Sequence, residues 1–364
     1  MNVPKIAREG LRSVGKLFSP KGAQEDTLEA LWPDRGGSCI RNRGKSWLEA
    51  QVDLSIIIPC YNNAPYLRGC LDSVLGQKTG YSFEAVVIDD GSTDETPEIL
   101  KAYAANPRVR LLRQENQGHS GARNAGLSIC RGKYLLFHDS DDTLLPGSIQ
   151  ALLDCAFQND ADIAIGGYVC KDAAGNVTPG KTYSAGPVTD RQRIPGMTCG
   201  KAFRRRSWAN LQFPLGYWYE DSVISQILLP MARRIYAIDA PVFAYLLNPQ
   251  GVSAASQGRP KSLESLYVTR QLLKEREFFG LRYDQDAYTH FLHMVLLTYH
   301  RTRLLPKDVP YAVFLCQRQL QSTYFSGIPA PERYASLAES LEKGRFRNYL
   351  WLCETLWLKN RMGG

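Results

Sequence analysis

From Leu54 onward the chain alternates short apolar runs with stretches of helical spacing. Residues 54–58, 83–88, 109–112, 134–137 and 163–165 have the length and the β-branched and aromatic content of strands. The runs at 54–58 and 85–88 carry consecutive apolar residues, so both faces of those strands must be buried. Separated by helices, such strands make a largely parallel sheet. The helix signals agree. Pro97 takes a first helical position after Thr96, Ser120 is placed to cap a helix over 121–130, and Pro146 opens another. The predicted fold class is α/β, with the ligand edge at the carboxyl ends of the strands.

The flanks read differently. Residues 1–50 are rich in Gly, Arg and polar residues. Val3, Ala7, Leu11, Val14 and Phe18 trace a weak apolar stripe among Lys5, Arg8, Arg12 and Lys16, which predicts a short basic helix followed by a linker. No uninterrupted apolar stretch occurs in residues 1–19, so neither a secretory signal nor a membrane span is expected there, and a cytoplasmic location follows. Beyond 258 the strand–helix alternation stops, and helices are predicted over 263–279 and 289–303. The expected division is a basic segment 1–50, an α/β domain 51–257 and a helical region 258–364. Residues 346–359 mix aromatics with flanking basic residues, as interfacial helices do. Packing on its own domain and peripheral docking at the inner face of a membrane both remain open for that segment.

Composition narrows the function classes. The 364 residues are 44% hydrophobic, enough for a real core, and 44 basic against 36 acidic residues leave a formal charge of +8. The basic residues are scattered, which argues against nucleic acid and leaves an anionic substrate or an anionic membrane surface as partners. The nine cysteines form no CxxC pair, so zinc is not suggested; Cys70, Cys130 and Cys155 read as small buried thiols.

The chemistry collects at the predicted strand ends. The first strand runs into Pro59, Cys60, Tyr61 and Asn62, where an aromatic ring can stack on a nucleobase or simply pack. The second ends in Asp89-Asp90-Gly91, either an Asx-type turn or a carboxylate for a base or ribose. After Phe137 come Asp139, Asp141 and Asp142, and like charges this close are costly without a neutraliser. Mg²⁺ or Mn²⁺ is the economical one, with Asp139 and Asp141 as a D-x-D pair. Arg123, near the start of a helix, could face a phosphate. The glycines around it lack the GxGxxG order of a dinucleotide site. Glu220 and Asp221 precede a helical stretch and offer either a general base or favourable charges on the helix dipole.

Together, residues 55–62, 87–94, 121–126 and 139–142 strongly resemble the family 2 glycosyltransferases. The resemblance covers about residues 52–250 and implies a GT-A nucleotide-binding sandwich carrying out inverting sugar transfer. Position by position it implies that Tyr61 stacks on a base, usually uracil, and that Asp90 binds the base edge. Pro59, Asn62 and Ser140 line the nucleotide pocket, and Arg123 lies near the pyrophosphate. Asp141 would be the direct metal ligand, with Asp139 nearer the ribose or donor sugar and able to join it. Asp221 would be the acceptor base, with Glu220 as the alternative. Lys201 and Arg204 to Arg206 match a family segment with structural and acceptor-side roles. The implied partners are a UDP-linked sugar and a glycan or lipid-linked acceptor of surface polysaccharide assembly. One departure is the loop 245–253, which has no arginine to close over the phosphates. A nucleotidyltransferase is the rival enzyme, but it needs a Gly-rich basic loop after its first strand. A non-catalytic sugar-binding or scaffold protein would have damaged acidic motifs, and these are intact.

Overall fold

The computed structural model describes residues 24–44, 46–248 and 258–362. They fall into two compact units, one within Gly36–Gly251 and one combining Met1–Arg35 with Val252–Gly364. The basic helix expected in residues 1–19 lies outside the described residues. Where a linker is expected, Gln24–Leu31 forms helix α1 and belongs to the second unit.

In the first unit, strands β1 (Val52–Cys60), β2 (Phe83–Asp89), β3 (Val109–Arg113) and β4 (Gly132–Phe137) are parallel, in the order β3-β2-β1-β4. Ile56 lies opposite Ala85 on one side and Leu136 on the other, and β1 is buried from Leu54 to Cys60. This is the continuous burial that the unbroken apolar runs require. Helices α2 (Ala64–Leu75), α3 (Thr96–Lys101), α4 (Gly118–Ile129) and α5 (Ser148–Gln158) complete the layers. One polar residue sits inside β1 without penalty: Ser55 Oγ donates to buried Glu84 at 2.6 Å and accepts from Gly132 N–H at 2.7 Å.

The sheet continues through β6 (Ile163–Lys171), which the run at 163–165 announces, and through strands that periodicity did not reveal. These are the two-residue β5 (Thr143–Leu144), β7 (Val177–Pro179), β8 (Gly186–Pro187), β9 (Lys201–Arg204) and β10 (Ile235–Leu246). The order proceeds β4-β9-β6-β10-β5, with β9 antiparallel to both neighbours and β6 parallel to β10. Strand β9 hides because it begins and ends in basic residues that are buried. Strand β10 is interrupted by Pro241, where its register against β6 shifts. Two helix starts also differ from the sequence reading. Ser120 lies inside α4 and donates to Pro214 C=O at 2.7 Å instead of capping, and α5 begins after Gly147, two residues beyond Pro146.

The second unit is helical: α6 (Glu264–Glu275), α7 (Gln285–Thr302), α8 (Val309–Tyr324), α9 (Ala335–Glu342) and α10 (Phe346–Met362). Trp32, just after α1, donates to Glu264 at 3.0 Å and accepts from Tyr267 at 2.8 Å, tying the amino-terminal helix to α6. Helix α10 packs one face inward: Tyr349 and Cys353 are fully buried, and Tyr349 donates to Gln317 at 2.8 Å. It also exposes Trp351 and Leu358 by 50% and 53%. No described helix is long and apolar enough to cross a membrane.

Asp162 fastens the far side of the sheet. Its carboxylate accepts from the N–H groups of Arg233 (2.9 Å) and Arg234 (3.1 Å) and from the Arg206 guanidinium (3.1 Å). Burial alone would raise this carboxyl, but those donors hold it below its ordinary value. A depressed carboxylate stabilises the fold fully above the ordinary carboxylate range and loses that contribution as pH falls through the folded-state value. Asp162→Asn is therefore expected to lower unfolding free energy at neutral pH by about 1.5–3 kcal/mol. The gap to wild type in urea titrations should narrow below about pH 4.

Candidate active site

Three loops meet at the carboxyl edge of β1, β2 and β4. After β1, Asn62 adopts a left-handed backbone (φ 48°), unusual for a residue with a side chain. It is held there from both ends: its N–H donates to Ser92 Oγ at 3.0 Å and its Oδ1 accepts from Thr93 N–H at 2.8 Å. The β1 and β2 loops are thereby joined, and Tyr61 is left 49% exposed at the edge. Asp89 is the turn-former, accepting from Ser92 N–H at 2.9 Å. Asp90 is buried at the loop base. Its N–H donates to Cys60 C=O at 2.9 Å, and its Oδ1 accepts from Gln114 Nε2 (2.7 Å) and Gln117 N–H (2.9 Å). Gly91 (φ 81°) permits the approach, since a Cβ would stand 3.0 Å from Asn116 N.

The third loop is acidic. His138 N–H continues the ladder to Ile57 C=O at 3.0 Å, and Asp142 N–H closes a turn onto Asp139 C=O at 3.1 Å. Ser140 accepts from Asn63 Nδ2 at 2.7 Å, linking this turn to the start of α2. Asp142 is only 1% exposed; one oxygen accepts from Leu246 N–H at 2.8 Å and the other, Oδ2, is buried without a partner. Burial and the neighbouring Asp139 push its carboxyl up to about 9. The same two causes raise Asp141. Burial would also raise Asp139, but Arg123 reverses the sign and holds it below its ordinary value. His138 is fully buried with no partner on either ring nitrogen, and burial drives it down to about 4. It is a neutral packing ring under the loop.

The acidic turn also gathers a ligand set that the D-x-D spacing does not name. The potential ligand atoms that come within 4.8 Å of one another belong to Asp139, Asp142 and Cys199, and Asp141 lies outside that group. The turn explains this, because its closing hydrogen bond brings residues three apart together. No sequence pattern marks Cys199 as a ligand among the nine cysteines. Gly200 after it (φ 72°) lies where a Cβ would stand 2.8 Å from the Phe243 ring.

Arg123 is 4% exposed and does not face outward to a phosphate. Its Nη2 donates to Asp139 Oδ1 at 2.8 Å and its Nη1 to Glu220, while the guanidinium lies 5.5 Å from the Phe213 ring. Asn124 fixes the same distant segment by a reciprocal pair, donating to Phe213 C=O at 2.8 Å and accepting from its N–H at 2.9 Å. Glu220 is thus buried and paired, and half-buried Asp221 follows it, just ahead of a π-helical turn at Ile224–Leu228. Lys201 is buried with Nζ donating to Met197 C=O at 2.7 Å; burial lowers it to about 8, opposed by Cys199 and Asp221.

Residues read as linker also reach this unit's working loops. Ile40 bridges to Leu211, Arg41 N–H donates to Asn210 C=O at 2.9 Å, and Arg43 donates to the carbonyls of Trp208 and Leu211. Arg43 and Arg205 lie on the Trp47 ring at 5.0 and 4.4 Å. Sequence reasoning had no signal for this, since the segment has neither strand nor helix periodicity.

The sequence model of glycosyl transferase family 2 matches residues 55–211. An uncharacterized glycosyltransferase of Escherichia coli strain K12, YibD, is 33% identical over 247 residues, covering 61% of this chain and 70% of its own. The uncharacterized glycosyltransferase EpsJ of Bacillus subtilis strain 168 is 40% identical over 216 residues, 55% of this chain and 62% of its own. Among solved structures, residues 1–349 of Staphylococcus aureus TarS in complex with UDP-GlcNAc superpose with a TM-score of 0.66. The identity there is 19%, over 85% of this chain and 92% of that one, so the likeness is one of fold.

Arg123→Met would leave Asp139 and Glu220 facing each other without a counter-charge. Removing one partner of a buried ion pair costs about 3–5 kcal/mol. Denaturant unfolding of Arg123→Met is expected to show a loss in that range, and Arg123→Lys, which keeps charge but not the two-pronged geometry, an intermediate one.

Proposed function

This chain belongs to glycosyl transferase family 2 and is a glycosyltransferase. On that premise we propose that it transfers a sugar from a UDP-linked donor to a hydroxyl of a glycan or lipid-linked acceptor, with inversion, in surface polysaccharide assembly. The observation that carries the reading is the convergence at one sheet edge of a half-exposed Tyr61, the Asp90 carboxylate and the acidic turn, with Glu220-Asp221 drawn in by Arg123. TarS, which shares the fold, takes UDP-GlcNAc and UDP in its crystals, and this supports the donor class.

In this reading Tyr61 stacks on the base, and Asp90 accepts a hydrogen bond from the base edge with the oxygen that Gln114 and Gln117 leave open. Pro59, Asn62 and Ser140 shape the pocket wall. Carboxylate oxygens, including the orphan Oδ2 of Asp142, suit a hard dication. Asp139 and Asp141 would hold Mg²⁺ or Mn²⁺, whose charge offsets that of the departing diphosphate. Arg123 acts one step back, fixing the rotamers of Asp139 and Glu220. Asp221 takes the proton from the acceptor hydroxyl as its oxygen attacks the anomeric carbon. Exposed Trp351 and Leu358 on α10, with Arg347 and Lys359 beside them in sequence, support peripheral contact with an anionic membrane face.

Asp221→Asn should retain donor affinity by calorimetry while transfer falls at least about a hundredfold; undiminished transfer would remove Asp221 from the role. Chelating divalent cations should weaken nucleotide-sugar binding, and unaltered affinity after chelation would contradict a metal-held diphosphate.

A further inference from the structure

Beneath the acidic turn the ligand set is not all oxygen. Asp139 and Asp142 share their 4.8 Å cluster with the Cys199 thiol, which is 3% exposed. Buried Asp142 Oδ2 has no partner, an expense that a native interior seldom tolerates without something to receive it. The other side of the cluster is open, because the Asp139 side chain keeps 35% of its surface exposed. Ligand atoms sharing one tetrahedral cation at about 2.0–2.3 Å lie roughly 3.3–3.6 Å apart, so these three need to close by only about an ångström. Sulfur decides the class of cation. A thiolate discriminates against Mg²⁺ and favours borderline and soft divalent ions.

We propose that Cys199, with Asp139 and Asp142, forms a three-ligand site for a thiophilic divalent cation of the Zn²⁺, Co²⁺ or Cd²⁺ class. On binding, the Cys199 S–H proton and the proton that burial keeps on the Asp142 carboxyl both leave to solvent, and a sulfur lone pair and carboxylate oxygens bond to the metal; no electron is exchanged. Three protein ligands leave a fourth position, on the side where Asp139 is exposed, for water or a donor oxygen. The inference rests on the sugar-transfer reading only for that last ligand. Asp139 serves both sets, so the thiophilic ion would take the place of the hard one rather than sit beside it.

The test uses the full chain, stripped with chelator, reduced with a phosphine and titrated with Co²⁺ alone. The expected result is a thiolate-to-cobalt charge-transfer band saturating at one equivalent, kept in Cys155→Ser and lost in Cys199→Ser. Co²⁺ affinity in Cys199→Ser should drop at least about tenfold while Mg²⁺ affinity changes little. Asp142→Asn keeps the thiol and should require at least about tenfold more Co²⁺ to develop the same band, which decides the matter should Cys199→Ser fail to fold. No band in the wild type, a band surviving in Cys199→Ser, or unchanged affinity in Asp142→Asn would each overturn the site. Transfer from UDP-sugars is assayed on the same preparations. A Cys199-dependent band without transfer sinks the sugar-transfer reading alone, and Mg²⁺-supported transfer without a band sinks the thiolate site alone.

Discussion

The Arg123 guanidinium is almost fully buried between Asp139, just past the end of β4, and Glu220, which lies 97 positions after Arg123 in the chain. Taking these charges out of water is costly, and their attraction offsets that cost only with good geometry and few unmatched donors. The geometry is supplied by α4, which sets Arg123 on one turn with Ser120 and Asn124, both bonded to the 213–214 backbone. Packed apolar residues in place of all three charged groups together could give equal stability. What it could not give is a fixed distance between the acidic turn and the segment carrying Asp221, and that distance is what a transfer reaction between two bound substrates needs.

Around this clamp the edge is built from shared hydrogen bonds rather than from separate loops. Asn62 joins the β1 and β2 loops, Asn63 joins the start of α2 to Ser140, and Asp142 joins the acidic turn to β10. Each joint uses a side chain to satisfy backbone or hydroxyl groups that would otherwise be stranded at a strand end. The side chains proposed for donor contact sit among these joints, and they are consequently held by packing before any ligand arrives.

Much of this edge was legible in the sequence. Two-sided apolar runs announced β1, β2 and β4, and polar residues immediately after them had nowhere to go but the ligand edge. The illegible parts share one cause: the information lies in pairings between distant segments. Strand β9 begins and ends with Lys201 and Arg204, whose burial inside a strand no local pattern announces until Met197, Ala161 and Asp160 are seen to satisfy them. Arg123 reads as a phosphate ligand until Glu220 is brought beside it. Asp142 and Cys199 are 57 positions apart by their numbering, and no local pattern says that they meet.

The strap formed by residues 40–43 lies upstream of the first recognisable motif, yet it is hydrogen-bonded to the 208–211 stretch, just before the residues that Arg123 and Asn124 grip. A chimaera or minimal fragment begun at the motif would discard that backing while leaving every signature residue in place. The seam for exchanging parts of this enzyme lies ahead of Gly36, and a cut placed where the family model begins, at residue 55, would fall inside the unit.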